Sequence, residues 1–217
     1  MRPPAALLLI AIGMALSGCG GGAASVDATA NKALNVPAAE ELMREGPLGE
    51  RAIGNPNAPV TVIEYASLTC PHCAHFQRDV WPRVKKEFID TGKIRFIVRE
   101  FPIGRTSGAA AIATRCVPPE KYFALHSAFL LRQPEWVSQE VRPDAIYAVA
   151  KSSGITRAAF DTCMANQTII DGLTEVKQRG RQFGVIGTPT FYANGRKAQG
   201  TITFEQFKAL IDPQSPS

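Results

Sequence analysis

The sequence predicts a mixed α/β domain in which a strand, a helix and a second strand precede a helical block, a hairpin and a last helix. Two observations support this order. Apolar and β-branched residues cluster as in buried strands at residues 59–67 and 94–98, whereas residues 105–183 show helical spacing and no convincing strand. The spacing of strands returns at residues 190–200. The 217 residues, 45% hydrophobic and 20% charged, suffice for one core.

The first nineteen residues are expected to form a signal peptide. Arg2 supplies a positive charge, and residues 5–16 are almost wholly apolar but too short a run to span a membrane. A buried N-terminal helix is the alternative. The stretch Leu16-Ser17-Gly18-Cys19 resembles the bacterial lipobox, which implies cleavage before Cys19 and its acylation. Otherwise Cys19 is removed with the signal peptide or kept as a thiol.

Residues 20–36 are small and polar, so we expect a flexible tether between a lipid anchor and a domain at residues 37–212. Residues 213–217 would form a tail. The formal net charge of +5 is mild and the basic residues are scattered, which argues against nucleic-acid binding. A mildly basic surface suits a position beside an anionic bilayer.

The first half of the domain is predicted to be a βαβ unit. The β-branched run at residues 59–67 predicts a buried strand, and residues 74–88 have apolar positions at helical spacing. Pro71 suits the start of that helix, and Pro82 is expected to kink it. A second strand follows at residues 94–98.

The second half is predicted to be a helical insertion followed by a ββα unit. The insertion would contain helices at residues 109–116, 119–131, 143–151, 157–165 and 168–183. Asn194-Gly195 predicts the turn of a hairpin at residues 190–200. Thr203 and Gln206 form the pattern of a capping box, which would open a last helix.

The Cys70-Pro71-His72-Cys73 motif directly follows the first strand, which places Cys70 at the start of the helix. Unpaired N–H groups and the positive helix end favour a thiolate there, and the His72 side chain could donate to it or bring positive charge. These features favour a reactive cysteine pair. A structural disulfide is an alternative, although so short a loop removes little chain entropy. A metal site formed by the motif, including His72, together with His75 is a second alternative, although the sequence has no second pair of ligands. We predict neither a metal nor a cofactor.

The CPHC motif after a strand, the helical insertion, and the Gly187-Thr188-Pro189-Thr190 stretch before a hairpin resemble a DsbA-type thioredoxin-fold oxidoreductase. The resemblance covers about residues 52–212. It implies a thioredoxin fold, βαβ followed by ββα, with the helical insertion between its halves. It also implies that Cys70 of the motif is an exposed nucleophile and Cys73 its shielded partner.

The resemblance implies further site residues outside the motif. Pro189 corresponds to a cis proline beside the cysteines, and Thr188 to the residue that pairs with an extended substrate chain. An ordinary turn proline is the alternative. Glu64, six residues before Cys70, matches a buried acid that would have a raised pKa and exchange protons with Cys73. An acid that faces water on an edge strand is the alternative for Glu64.

Cys116 and Cys163 lie in the helical insertion. Acylation of Cys19 would leave four of the five cysteines, and exported proteins retain disulfides. We therefore expect a structural Cys116–Cys163 bridge, in agreement with relatives that have a second disulfide in the insertion. Two buried free thiols are the alternative.

The first functional hypothesis is a periplasmic, lipid-anchored thiol–disulfide oxidoreductase that acts as a monomer. It would donate the Cys70–Cys73 disulfide to reduced exported proteins, and the resemblance implies a quinone-linked membrane partner that restores it. The anchor would lie in the cell membrane or the outer membrane. The second hypothesis is a reductase or isomerase, which Thr188 favours because the resemblance implies that isomerase-type relatives share it. Those isomerases carry an N-terminal dimerisation domain, for which residues 20–51 are too few. The third is a dithiol module that binds metal or a client without turnover.

Overall fold

The computed structural model describes residues 37–212. The predicted signal peptide, the proposed lipidation site Cys19, the tether and the tail lie outside these residues. Within residues 37–212, no helix is both long enough and apolar enough to cross a membrane.

A five-stranded mixed sheet lies at the centre of the domain, in the order β1-β3-β2-β4-β5. Its strands are β1 (Arg51–Gly54), β2 (Val60–Ala66), β3 (Ile94–Glu100), β4 (Thr190–Ala193) and β5 (Arg196–Gln199). Strands β2 and β3 are parallel, and the other neighbouring pairs are antiparallel. Strand β2 is therefore central, and its last five residues are all buried. The predicted α/β fold class is confirmed, and β1 is an additional edge strand.

A short helix, α1 (Ala39–Met43), precedes the sheet. The helix after β2 is longer than predicted and is not α-helical throughout. It comprises α2 (Pro71–His75), a π-helical turn (Phe76–Val80), α3 (Trp81–Val84) and a second π-helical turn (Lys85–Ile89). Because proline has no N–H group, the α-helical hydrogen-bond pattern cannot run unchanged through Pro82. The predicted irregularity takes the form of the π-helical turn directly before α3.

The insertion between β3 and β4 is helical, as predicted. Its α-helices within the described residues are α4 (Gly104–Arg115), α5 (Tyr122–Leu131), α6 (Gln133–Trp136), α7 (Pro143–Ala150), α8 (Arg157–Met164) and α9 (Gln167–Gln182). Helix α4 begins earlier than predicted, and the short α6 was not predicted. Helix α10 (Phe204–Ile211) follows the hairpin, and the predicted capping box of Thr203 and Gln206 is present at its start.

A disulfide joins two helices of the insertion. Cys116 follows α4 and Cys163 lies in α8, with their sulfur atoms 2.10 Å apart and their Cα atoms 5.8 Å apart. The structure thus contains the bridge and not the alternative of two free thiols. Cys70 and Cys73 are free thiols.

Aromatic packing holds the cysteine-bearing helix against the sheet. The ring centroid of Phe76 lies 4.8 Å from that of Phe191 in β4 and 5.9 Å from that of Phe207 in α10. All three rings are buried. Because Phe76 lies one turn after Cys73, this packing fixes the position of the helix start relative to the sheet.

Candidate active site

Cys70 lies at the N-cap of α2, where the chain turns from β2 into the helix. Its backbone is extended, with φ −78° and ψ 123°, and Pro71 takes the first helical position. Proline suits that position because its missing N–H would have no intrahelical partner. The backbone N–H groups of His72 and Cys73, the two residues after Pro71, hydrogen-bond to the Cys70 sulfur.

These contacts lower the pKa of the Cys70 thiol to about 5, from an ordinary value of 9.0. The largest cause is a hydrogen bond from the Cys73 thiol. Burial opposes the shift, while the Thr188 side chain and the backbone N–H groups of Cys73 and His72 add to it. Cys70 is therefore a thiolate at neutral pH, the form in which a cysteine attacks.

Cys73 shows the opposite behaviour. Burial raises its pKa well above the ordinary value, and the hydrogen bond to Cys70 and the charges of Glu64 and Cys70 add to the rise. Cys70 is 8% exposed and Cys73 0%. The expectation of an exposed Cys70 is therefore wrong for this structure: both cysteines are buried, and Cys70 is only slightly more exposed than Cys73.

The loop before β4 forms the other wall of the site. The Thr188–Pro189 peptide bond is cis, and the Cys70 thiol donates a 3.1 Å hydrogen bond to the Thr188 carbonyl. The Thr188 hydroxyl is buried and has no hydrogen-bond partner within residues 37–212. A thiolate cannot donate to the carbonyl but can accept from a hydroxyl. Ionisation of Cys70 therefore gives the Thr188 hydroxyl a partner.

Glu64 lies on the central strand β2 and interacts through its charge with both cysteines. It is 3% exposed, and its Oε1 atom has no hydrogen-bond partner in the described part of the chain. Burial raises the pKa of Glu64 to about 8, and the charge of Cys70 adds to the rise. The alternative of an acid facing water on an edge strand is therefore wrong. At neutral pH, Glu64 is a protonated acid.

The imidazole of His72 has a different partner from the predicted one. The sequence analysis expected the His72 side chain to donate to the Cys70 thiolate or to bring positive charge to it. Its Nδ1 atom instead lies 2.6 Å from Oγ1 of Thr201, and both side chains are exposed. Among the groups that lower the pKa of Cys70, His72 contributes its backbone N–H and not its ring.

Hydrogen bonds from the helical insertion support the motif, and the sequence analysis missed them. The Gln133 amide, at the start of α6, donates to the carbonyls of Leu68 at 2.7 Å and Cys70 at 3.0 Å. The hydroxyls of Ser67 and Ser107 lie 2.8 Å apart. Isolated polar residues in a helical stretch show no pattern that points to a partner so distant in the sequence.

The metal alternative finds no support in the site geometry. The Nε2 atom of His75 lies 3.3 Å from the carboxylate of Asp79, one turn later on the same helix. Across residues 37–212, no three His, Cys, Asp or Glu side chains converge as metal ligands would.

Comparisons with known proteins agree with this geometry. A family model described as Thioredoxin matches residues 48–213. The chain is 32% identical over 167 residues to a Rickettsia conorii protein named as a protein-disulfide oxidoreductase, a match that covers 75% of this chain. The chain spans only 59% of the length of that relative. It is also 27% identical over 173 residues to the disulfide bond formation protein D of Bacillus subtilis, covering 76% of this chain and 77% of that protein.

The similarity extends to the three-dimensional structure. The crystal structure of Wolbachia pipientis alpha-DsbA1 superposes with a TM-score of 0.68 at 28% sequence identity. The match covers 82% of this chain and 92% of that one. The family match includes both halves of the site, the cysteine motif and the cis-proline loop. The chain belongs to the thioredoxin family and, within it, to the DsbA-type proteins.

Proposed function

We propose that the chain is a thiol–disulfide oxidoreductase whose reacting groups are Cys70 and Cys73. The observation that supports this most strongly is the contrast between the two sulfurs. The pKa of Cys70 is lowered to about 5, whereas that of Cys73 is raised well above its ordinary value. Such a pair has one sulfur suited to attack or departure as a thiolate and a second that stays protonated beside it.

In the oxidising direction, a client thiolate attacks Sγ of Cys70 in the Cys70–Cys73 disulfide. The Cys70–Cys73 bond breaks, its electron pair passes to the Cys73 sulfur, and a client–Cys70 mixed disulfide forms. Glu64, whose pKa is about 8, can supply the proton that Cys73 takes up. A second client thiolate then attacks the client sulfur and releases Cys70 as a thiolate. The client loses two electrons, and the cysteine pair gains them.

We propose net oxidation of exported proteins as the direction in the cell. Stabilising the Cys70 thiolate stabilises the reduced form, and this makes the disulfide a stronger oxidant. The name of the Bacillus subtilis relative, a disulfide bond formation protein, agrees with that direction. A reductase or isomerase is the second candidate, because Thr188 precedes the cis proline.

The direction and the roles of the cysteines can be tested together. The thiolate absorbance of the reduced protein should titrate with a midpoint near pH 5, and Cys70→Ser should abolish that step. Cys73→Ala should accumulate mixed disulfides with client proteins, whereas Cys70→Ser should not. A midpoint near 9, together with a strongly reducing potential against glutathione, would favour the reductase or isomerase.

The cellular setting is a further part of the proposal. Acylation of Cys19 would anchor the protein in the periplasm, and a quinone-linked membrane protein would restore the disulfide. Cys19→Ser should then release the protein into the soluble fraction or leave its signal peptide uncut. Normal processing with unchanged membrane retention would contradict the anchor.

A further inference from the structure

We propose that Thr201 is a positioning residue for His72 and, through His72, for the Cys70 thiolate. The inference rests on the proposed thiol–disulfide chemistry of Cys70. Thr201 lies in the loop between β5 and α10, 129 residues from His72 in the sequence.

The contact between the two side chains suits either protonation state of the ring. Oγ1 of Thr201 lies 2.6 Å from Nδ1 of His72, a short hydrogen-bond distance. A hydroxyl can donate to the unprotonated Nδ1 of a neutral imidazole, and it can accept from the Nδ1–H of an imidazolium. The contact can therefore persist when His72 gains or loses a proton.

The backbone around Thr201 is held on both sides, so its hydroxyl is a fixed point. The N–H of Gly200 donates to the carbonyl of Pro189 at 2.8 Å. Ile202 is buried in the main core, and Thr203 caps α10. An exposed imidazole bound to this hydroxyl is restrained, whereas an unbound one would rotate in the solvent.

The result is a chain of contacts that surrounds the Cys70 sulfur. The Thr188 carbonyl lies 3.1 Å from the sulfur, and the next residue, Pro189, accepts from Gly200. Thr201 then reaches across to His72, whose backbone N–H faces the sulfur again. Thr201 thus connects the two walls of the site, the helix start and the cis-proline loop. Because His72 acts on the sulfur through this backbone N–H, a His72 side chain held by Thr201 helps to fix the first turn of α2, and with it the N–H, relative to the sulfur.

The test is a double-mutant comparison in the full chain, using Thr201→Val, His72→Ala and both together. Cys73 on α2, Glu64 on β2 and Thr188 in the cis-proline loop are the other groups that influence Cys70, and these variants leave them in place. Thiolate absorbance against pH and the equilibrium with glutathione are the two measurements. Thr201→Val should raise the Cys70 pKa and make the disulfide about two- to tenfold less oxidising. Thr201→Ser, which keeps the hydroxyl, should behave as wild type.

In the His72→Ala background, Thr201→Val should have no further effect, because the two residues act through one contact. Unchanged titration in Thr201→Val, a lower Cys70 pKa, or an equal shift with and without His72 would each overturn the inference. Failure of the proposed function would be visible in the wild type itself, as an ordinary Cys70 titration without exchange with glutathione. In that case the proposed role of Thr201 would be wrong together with the proposed function.

Discussion

Glu64 shows how the position of one side chain sets its chemistry. Its pKa is raised to about 8 by burial first and by the charge of Cys70 second. In the unfolded chain, a glutamate has its ordinary pKa of 4.5. Between these two values the folded protein keeps the proton that the unfolded chain has lost. Stability contributed by Glu64 therefore falls as pH rises through this interval.

Glu64→Gln should remove this pH dependence. In the oxidised protein, where Cys70 is in a disulfide and does not titrate, the wild type should lose on the order of 2–4 kcal/mol of unfolding free energy between about pH 5 and 8 relative to the variant. Denaturant unfolding at several pH values measures the difference in slope. A change in unfolding free energy that the new amide causes equally at every pH does not affect this slope.

The reduced protein supplies the control. There Cys70 has a lowered pKa, so its contribution to stability increases as pH rises between about 5 and 9 and opposes that of Glu64. Reduced wild type should therefore show a shallower decline than oxidised wild type. Parallel slopes for the oxidised wild type and Glu64→Gln would mean that Glu64 ionises normally.

At the scale of elements, the docking of α9 on the sheet depends on a glycine. A Cβ atom at Gly180 would lie 2.9 Å from Cε1 of Tyr65 and 3.0 Å from Cδ2 of Phe101. Both rings are buried, and they pack edge to face with centroids 6.3 Å apart. Only a residue without a side chain permits the helix backbone to approach these rings so closely.

Gly180→Ala should destabilise the protein by about 1–3 kcal/mol, because the crowding outweighs the roughly 1 kcal/mol by which alanine is the better helix former. Gly108→Ala is the matched control. Gly108 also lies in a helix, α4, but a Cβ atom there meets nothing within 4 Å. It should be neutral or stabilising by up to about 1 kcal/mol. Equal effects of the two substitutions in thermal or denaturant unfolding would contradict the packing argument.

At the scale of the whole molecule, a buried ion pair joins three parts of the chain. Arg115 of the insertion binds both carboxylate oxygens of Glu100 at the end of β3, at 2.5 Å and 2.6 Å. The Tyr122 hydroxyl donates to the same carboxylate at 3.0 Å, and Arg115 also donates to the carbonyls of Leu48 and Gly49. The N-terminal segment, the sheet and the insertion therefore meet at one set of charges.

Glu100→Gln should cost about 3–5 kcal/mol, because it leaves the Arg115 guanidinium buried without its counter-charge. Glu87→Gln provides the comparison, since Glu87 pairs with Arg83 at 3.1 Å on an exposed helix face. It should cost about 0–1 kcal/mol. The two free energies of unfolding from denaturant titrations test this, and similar values would show that the buried pair contributes no more than a surface pair.

The sequence by itself determined the features that depend on short-range patterns. The order βαβ, helical insertion, ββα follows from the change of apolar spacing, and the position of Cys70 follows from a strand that runs directly into a helix. The capping box at Thr203 was also predictable, because both of its hydrogen bonds join residues three apart. Strand β1 has only four residues, too few for an alternation of apolar and polar residues to identify it in the sequence.

Only the tertiary structure decided the interactions between distant segments. The raised pKa of Glu64 requires β2 to be central in the sheet, and β4 reaches β2 only after the whole insertion. The partners of His72 and of the Cys70 carbonyl, Thr201 and Gln133, lie far along the chain. The Cys116–Cys163 bond likewise joins residues 47 positions apart. The physical reason is that burial and long-range hydrogen bonds depend on how distant segments pack together. The local spacing of apolar residues in the sequence does not reveal that packing.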